Sequence, residues 1–181
     1  MLHNSQKDFI RRHIGPKKKD EKNMLNQLGY KSLRLHFLIV GDGTHEYTIY
    51  LKNIDEELNL KDYVSFTGYL DNPSEIISGL DILIAPSSRD AFGRTIIEAM
   101  LQSTSVLVAN KGGHKELVED GFDGFIYKSN CKKSFINKAI KLIEDISLRD
   151  VMVIRALEKS SKKYSNKSLF EEVDKIYKSI I

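Results

Sequence analysis

The stretch best equipped for chemistry runs Ala85-Pro86-Ser87-Ser88-Arg89-Asp90-Ala91-Phe92-Gly93-Arg94-Thr95-Ile96-Ile97-Glu98-Ala99-Met100. It leaves an apolar run, crosses a glycine and enters a helical pattern. In open α/β sheets, ligands bind where a strand ends and the following helix begins. A helix opening near Gly93 leaves the N–H groups of Gly93, Arg94 and Thr95 without intrahelical acceptors. Such a helix start suits an anion, and a diphosphate in particular. Thr95 adds a hydroxyl, and Arg94 and Arg89 add positive charge. A carboxylate accepts two hydrogen bonds and can clasp a vicinal diol, which ribose and hexose both present. Glu98 is accordingly placed on a ribose and Asp90 on a sugar. On physical grounds alone Glu98 is equally readable as a surface helix residue.

The remaining candidates are less specific. His3, His13, His36, His45 and His114 are scattered without tight metal-ligand spacing, so no metal is expected. His114 follows Gly112-Gly113 and reads first as a solvated loop residue, with ligand contact as the alternative. No G-x-S-x-G elbow supports a serine nucleophile. Gly41-x-Gly43 lacks the third glycine and the ribose acid of a dinucleotide fingerprint.

These residues need a frame, and the chain from Leu35 supplies one. Leu35–Val40, Tyr63–Thr67, Asp81–Ala85, Val106–Ala109 and Gly124–Tyr127 read as short strands. Their continuous apolarity fits a parallel sheet covered on both faces. Between them, Thr44 to Leu58, Ile76 to Leu80 and Arg94 to Leu101 read as helices. Three more close the chain. The first carries Phe135, Ile136, Ala139, Ile140, Leu142 and Ile143 on one stripe. Ser147 with Asp150 resembles a cap for the second, and Ser168 with Glu171 a cap for the third. The expected fold is α/β, a Rossmann-like doubly wound parallel sheet.

Composition narrows the class. The chain has 181 residues, 41% hydrophobic and 29% charged, which suits a globular domain with its own core. Its one cysteine, Cys131, permits no intrachain disulfide. No apolar run reaches the ~18 residues of a membrane span. A cytoplasmic location is the simplest expectation, which leaves peripheral membrane association open. The net charge of +3 divides into +6 for residues 1–34 and −3 for the rest. The basic segment lacks the interleaved aromatics of a nucleic-acid platform, so no nucleic-acid partner is expected. Within it, Gly15-Pro16 breaks any helix and Asp20 to Leu28 reads as a helix stopped by Gly29. The expected division is a basic helical arm, 1–34, and a domain, 35–181.

The stretch from Asp90 to Met100 resembles the retaining family-4 (group 1) glycosyltransferases, which carry a glutamate, seven residues and a second glutamate at this place. Ile39-Val40-Gly41-Asp42-Gly43, Val64-Ser65-Phe66-Thr67-Gly68, Asp81 to Ser87, Gly112-Gly113-His114-Lys115-Glu116 and Asp120-Gly121-Phe122-Asp123-Gly124 extend the resemblance over about residues 35 to 177. It implies the C-terminal, donor-binding half of the two-domain GT-B fold. It implies a nucleotide-diphospho-sugar as ligand, no further cofactor, and an acceptor-binding domain that is missing or separate. Glu98 would hold the ribose and Asp90 the donor hexose. Phe92, Gly93, Arg94 and Thr95 would lie near sugar and diphosphate. Gly41 and Gly43 would admit close backbone approach, and Gly68 would lie by the base. Arg89, His114 and Glu116 are secondary candidates.

Two departures shape the expectation. Asp90 is one methylene shorter than the usual glutamate. The family's first strand, with the arginine and lysine that contact the diphosphate, is expected to be missing, with nothing before Leu35 resembling it. Leu35–Val40 is therefore expected to pair directly with Asp81–Ala85 in a five-stranded sheet. Residues 6–33 resemble something else, the start of glycine dehydrogenase, on Asp8-Phe9-Ile10-Arg11-Arg12-His13-Ile14-Gly15-Pro16 and Met24 to Leu33. That run carries no cofactor lysine. The expected function is sugar transfer from a nucleotide-diphospho-sugar, incomplete in this chain. The alternatives are a non-catalytic nucleotide-sugar-binding fragment or a glycine-cleavage-related interaction module.

Overall fold

The computed structural model describes residues 35–86, 93–164 and 178. The arm at 1–34, the third closing helix and its Ser168–Glu171 cap lie outside the described residues. The chain divides into two compact units, Met1–Pro73 and Ser74–Ile181.

In the first unit, β1 (Phe37–Val40) runs parallel to β2 (Val64–Gly68), with Phe37 opposite Val64 and Ile39 opposite Phe66. The crossover is α1 (His45–Glu57). Thr44 caps it as its extended backbone and hydroxyl predict, accepting from the Tyr47 N–H at 3.3 Å. No described residue of this unit is fully buried. Phe37, Val40, Tyr47, Tyr50 and Leu58 are all exposed.

The second unit holds the core. Its strands β3 (Ile82–Ala85), β4 (Ser105–Ala109) and β5 (Phe125–Tyr127) form a parallel sheet with β4 in the middle. Every residue of β4 is buried. That is why its run is apolar without alternation, since helices cover both faces. On one face, Ile96, Ile97, Ala99 and Met100 of α3 (Arg94–Leu101) pack with Val106, Val108 and Ala156. On the other, Leu142 of α5 (Lys132–Glu144) and Met152 of α6 (Ile146–Lys163) pack with Leu107, Ala109 and Phe125. Two short helices, α2 (Ser74–Ile77) and α4 (His114–Leu117), complete the unit.

The structure corrects several expectations. Among the described residues the ladders run within each unit, β1 with β2 and β3 with β4 and β5, where the sequence led to a single five-stranded sheet. Each apolar run is matched by the run next to it in sequence through one crossover, and no sequence feature registers β1 against β3. The short helix starts at Ser74, directly after Pro73, and ends at Ile77 rather than spanning Ile76–Leu80. Proline is pre-organised for a helix start, so the helix opens there. The cap of α6 is Asp145, not Ser147: its carboxylate accepts from the Leu148 N–H at 2.8 Å. Asp145 also ends α5, so one residue serves both helices.

Candidate functional site

In the first unit, the chain leaves β1 at Gly41, whose φ of 108° is open to glycine and strained for other residues. The Gly41 N–H donates to the Gly68 carbonyl at 2.9 Å, which ties the two strand ends together. A Cβ on Gly68 would lie 3.3 Å from Asp42 Oδ1, and one on Gly43 would lie 3.1 Å from the Tyr47 ring. The need for glycine at position 43 is therefore partly local packing. The Glu46 carboxyl is held below its usual range, first by a backbone N–H of its own residue and then by Thr44.

In the second unit, the strand β3 ends at Ala85. Arg89, Asp90 and Phe92 lie outside the described residues, so the Asp90–Glu98 pair is described only at its second member. Gly93 is the N-cap of α3, in the left-handed region at φ 70°, ψ 41°, with no side-chain cap. A Cβ there would meet Leu117 Cδ1 at 2.6 Å and Ile96 Cδ1 at 3.1 Å. Both backbone and space therefore select glycine.

Within α3, the Ile96 and Ile97 N–H groups turn back to the Gly93 carbonyl at 2.9 and 3.3 Å. The amides of Arg94 and Thr95 have no partner among the described residues, as the first turn of a helix requires. The Arg94 and Thr95 side chains are exposed and Glu98 is half-buried. Residues three and four apart share a helix face, so Arg94, Thr95 and Glu98 lie together. The opposite face carries the buried Ile96, Ile97, Ala99 and Met100. No hydrogen bond or ion pair engages the Glu98 carboxylate among the described residues. Two free amides, a hydroxyl, a guanidinium and an uncommitted carboxylate thus share one helix end.

The environment of His114 differs from the solvated loop expected. It opens α4 and is fully buried. Its Nδ1 lies 3.1 Å from the Ala109 carbonyl, and its Cδ2 is 3.7 Å from where a Gly93 Cβ would sit. Glycine-rich surroundings masked this, because a polar residue after Gly112-Gly113 reads as exposed. Glu116, by contrast, is exposed.

Sequence reading also missed the support of this corner. Asp123 is buried, and its carboxylate accepts from the Glu119 N–H at 2.8 Å and from Lys159 Nζ at 2.6 Å. Lys159 also donates to the Leu117 carbonyl at 2.8 Å. The lysine of α6 therefore clamps the segment that packs on Gly93. The only signal was an acid and a lysine 36 positions apart, which no periodicity connects.

The family described as glycosyl transferases group 1 matches residues 17–159. The chain belongs to this family. The match begins at residue 17, inside the run 6–33 for which a resemblance to glycine dehydrogenase was expected, and the comparisons do not show that resemblance. N-acetyl-alpha-D-glucosaminyl L-malate synthase of Bacillus anthracis is 26% identical over 80% of this chain and 37% of its own length. The UDP-Gal:alpha-D-GlcNAc-diphosphoundecaprenol alpha-1,3-galactosyltransferase of Escherichia coli is 30% identical over 77% of this chain and 35% of its own. The chain thus spans about a third of the length of these curated relatives. Among solved structures, Anabaena HepE in complex with UDP-glucose superposes with a TM-score of 0.74 at 23% identity, over 93% of this chain and 55% of that one. The C-terminal domain of the group 1 protein LpcC from Francisella tularensis gives 0.67 at 19% identity, over 91% of this chain and 81% of that domain. The fold of this group 1 glycosyltransferase chain is therefore the Rossmann-like, GT-B type expected. No helix among its described residues is long and apolar enough to cross a membrane.

Proposed function

We propose that this chain is the donor-binding part of a retaining glycosyltransferase and binds a nucleotide-diphospho-sugar at the N-terminus of α3. The observation that carries this reading is a Glu98 carboxylate and Arg94 and Thr95 amides at one helix end, none with a partner among the described residues. UDP-glucose in the related HepE supports a uridine nucleotide as the first ligand to test. Glu98 takes the ribose diol, and the amides with Arg94 and Thr95 take the diphosphate. Asp90 and Phe92 are assigned to the sugar, Gly41 and Gly43 to close backbone approach, and Gly68 to the base. Arg89 and Glu116 are held as secondary contacts.

In the transfer, the bond from the sugar's anomeric carbon to the diphosphate oxygen breaks and a bond to an acceptor oxygen forms. The acceptor's proton leaves as the nucleoside diphosphate departs. Preformed N–H dipoles and Arg94 stabilise the charge that grows on the departing phosphate. The acceptor has to be held in line by other residues, since orientation supplies several kcal/mol of such a barrier. We assign that task to an acceptor-binding domain beyond these 181 residues, working in the cytoplasm.

The test is calorimetry and turnover on the same preparation. The chain is expected to bind UDP and UDP-glucose with measurable heat. Donor consumption with simple sugar, lipid or peptide acceptors is expected to stay at the hydrolysis background. Absence of binding sinks the donor-site reading, and robust transfer sinks the division of labour.

A further inference from the structure

His114 is a buried polar side chain with a ring nitrogen that the described residues leave unused. Its ring is anchored at the end of β4: a carbonyl can only accept, so Nδ1 carries the proton and donates to Ala109 at 3.1 Å. A neutral imidazole with Nδ1 protonated leaves Nε2 as a bare acceptor. That nitrogen is buried and has no hydrogen-bond partner among the described residues. An aliphatic side chain would fill the same space without the cost of an orphaned acceptor, so the position calls for a partner.

The direction of the ring says where the partner arrives. Cδ2 is bonded to Nε2, and Cδ2 is the imidazole atom nearest the Gly93 Cβ position, at 3.7 Å. Cδ2 is therefore the ring atom turned to the N-cap of α3, and Nε2 is bonded directly to it. Around that cap stand the free amides of Arg94 and Thr95, and Glu98 lies about 6 Å further along the axis at 1.5 Å per residue. Taken from Glu98 back to the cap, the order is diol acceptor, anion donors, then His114. This is the order of ribose, diphosphate and sugar in a nucleotide-diphospho-sugar. A phosphate oxygen is itself an acceptor and does not satisfy a bare imidazole nitrogen, whereas a sugar hydroxyl donates to it.

We propose that His114 is a specificity-determining residue for the donor sugar, its Nε2 accepting a hydrogen bond from a hydroxyl of that sugar. The proposal rests on the donor-binding reading above. Its effect falls on the sugar and not on the nucleotide.

The experiment compares UDP with UDP-glucose by calorimetry on the parent, His114→Phe and His114→Gln. Phenylalanine keeps the ring and removes the acceptor; glutamine returns an acceptor near Nε2. The expected result is UDP affinity within about twofold of the parent in both variants, with UDP-glucose affinity falling about fivefold to tenfold in His114→Phe, the scale of one hydrogen bond. His114→Gln is expected to recover part of that loss. Unchanged UDP-glucose binding in His114→Phe overturns the proposal. So does an equal loss of both ligands, which marks a packing role. If His114→Phe does not fold, His114→Gln decides: UDP affinity within about twofold of the parent with a partial loss confined to UDP-glucose supports the proposal, and an equal loss of both ligands, or a loss of neither, overturns it. A parent that binds UDP while the variants fail the test refutes the histidine's role alone. A parent that binds neither ligand removes the donor-site reading and the proposal with it.

Discussion

Replacing Glu98 with alanine is expected to weaken UDP binding by roughly 1 to 3 kcal/mol, the scale of a lost hydrogen bond to a charged group. This corresponds to about fivefold to 150-fold in affinity. The carboxylate has no protein partner to lose among the described residues, so the substitution removes a ligand contact without opening an internal network. Alanine is also the best helix former, so α3 should keep its fold. The check is calorimetry with thermal melts of both proteins. Unchanged melting with equal UDP affinity would take Glu98 out of the site and leave it a surface helix residue.

Replacing Asp123 with alanine is expected to cost stability, by about 3 kcal/mol. Removing one member of a buried ion pair strands the other, typically at 3 to 5 kcal/mol. The lower end applies because the Lys159 side chain keeps 29% of its exposure and can recruit water. The Glu119 N–H loses its acceptor as well. Asp123→Asn is expected to cost less, since it keeps an oxygen for that amide. Urea unfolding of both variants checks the order. A loss below about 1 kcal/mol in Asp123→Ala would mean that the pair behaves as a surface bridge. The substitution also bears on function. Lys159 holds the Leu117 carbonyl, and Leu117 packs where a Gly93 side chain would go. Loosening this clamp should slacken the cap of α3 and reduce UDP affinity in the protein that remains folded.

The two variants mark where the sequence was readable. Arg94–Leu101 agrees in full with the helix expected, because Gly93 punctuates its start and Ile96, Ile97, Ala99 and Met100 give it a clear apolar face. The strands were legible from short continuous apolar runs, and β4 shows why: each of its residues is buried. Pairing between strands was not legible. Leu35–Val40 and Asp81–Ala85 are both apolar, and composition carries no register, so their expected ladder had no local support. Position 145 was missed as a cap because Ser147 with Asp150 imitated one two residues later. His114 and Asp123 were misread or passed over for the same reason. A buried polar residue is defined by partners distant in sequence, here Ala109, Glu119 and Lys159.

The central claim is that the N-terminus of α3 receives the diphosphate of a nucleotide sugar. The most direct test is an NMR titration of the isotopically labelled 181-residue chain with UDP, following the backbone amides of Arg94 and Thr95. These amides have no protein acceptor among the described residues, so a phosphate oxygen should shift them strongly and saturably. The account predicts that they move most within α3, that Glu98 follows, and that uridine alone moves them far less. Saturable UDP binding that leaves Arg94 and Thr95 unmoved would contradict it and place the nucleotide elsewhere on the chain.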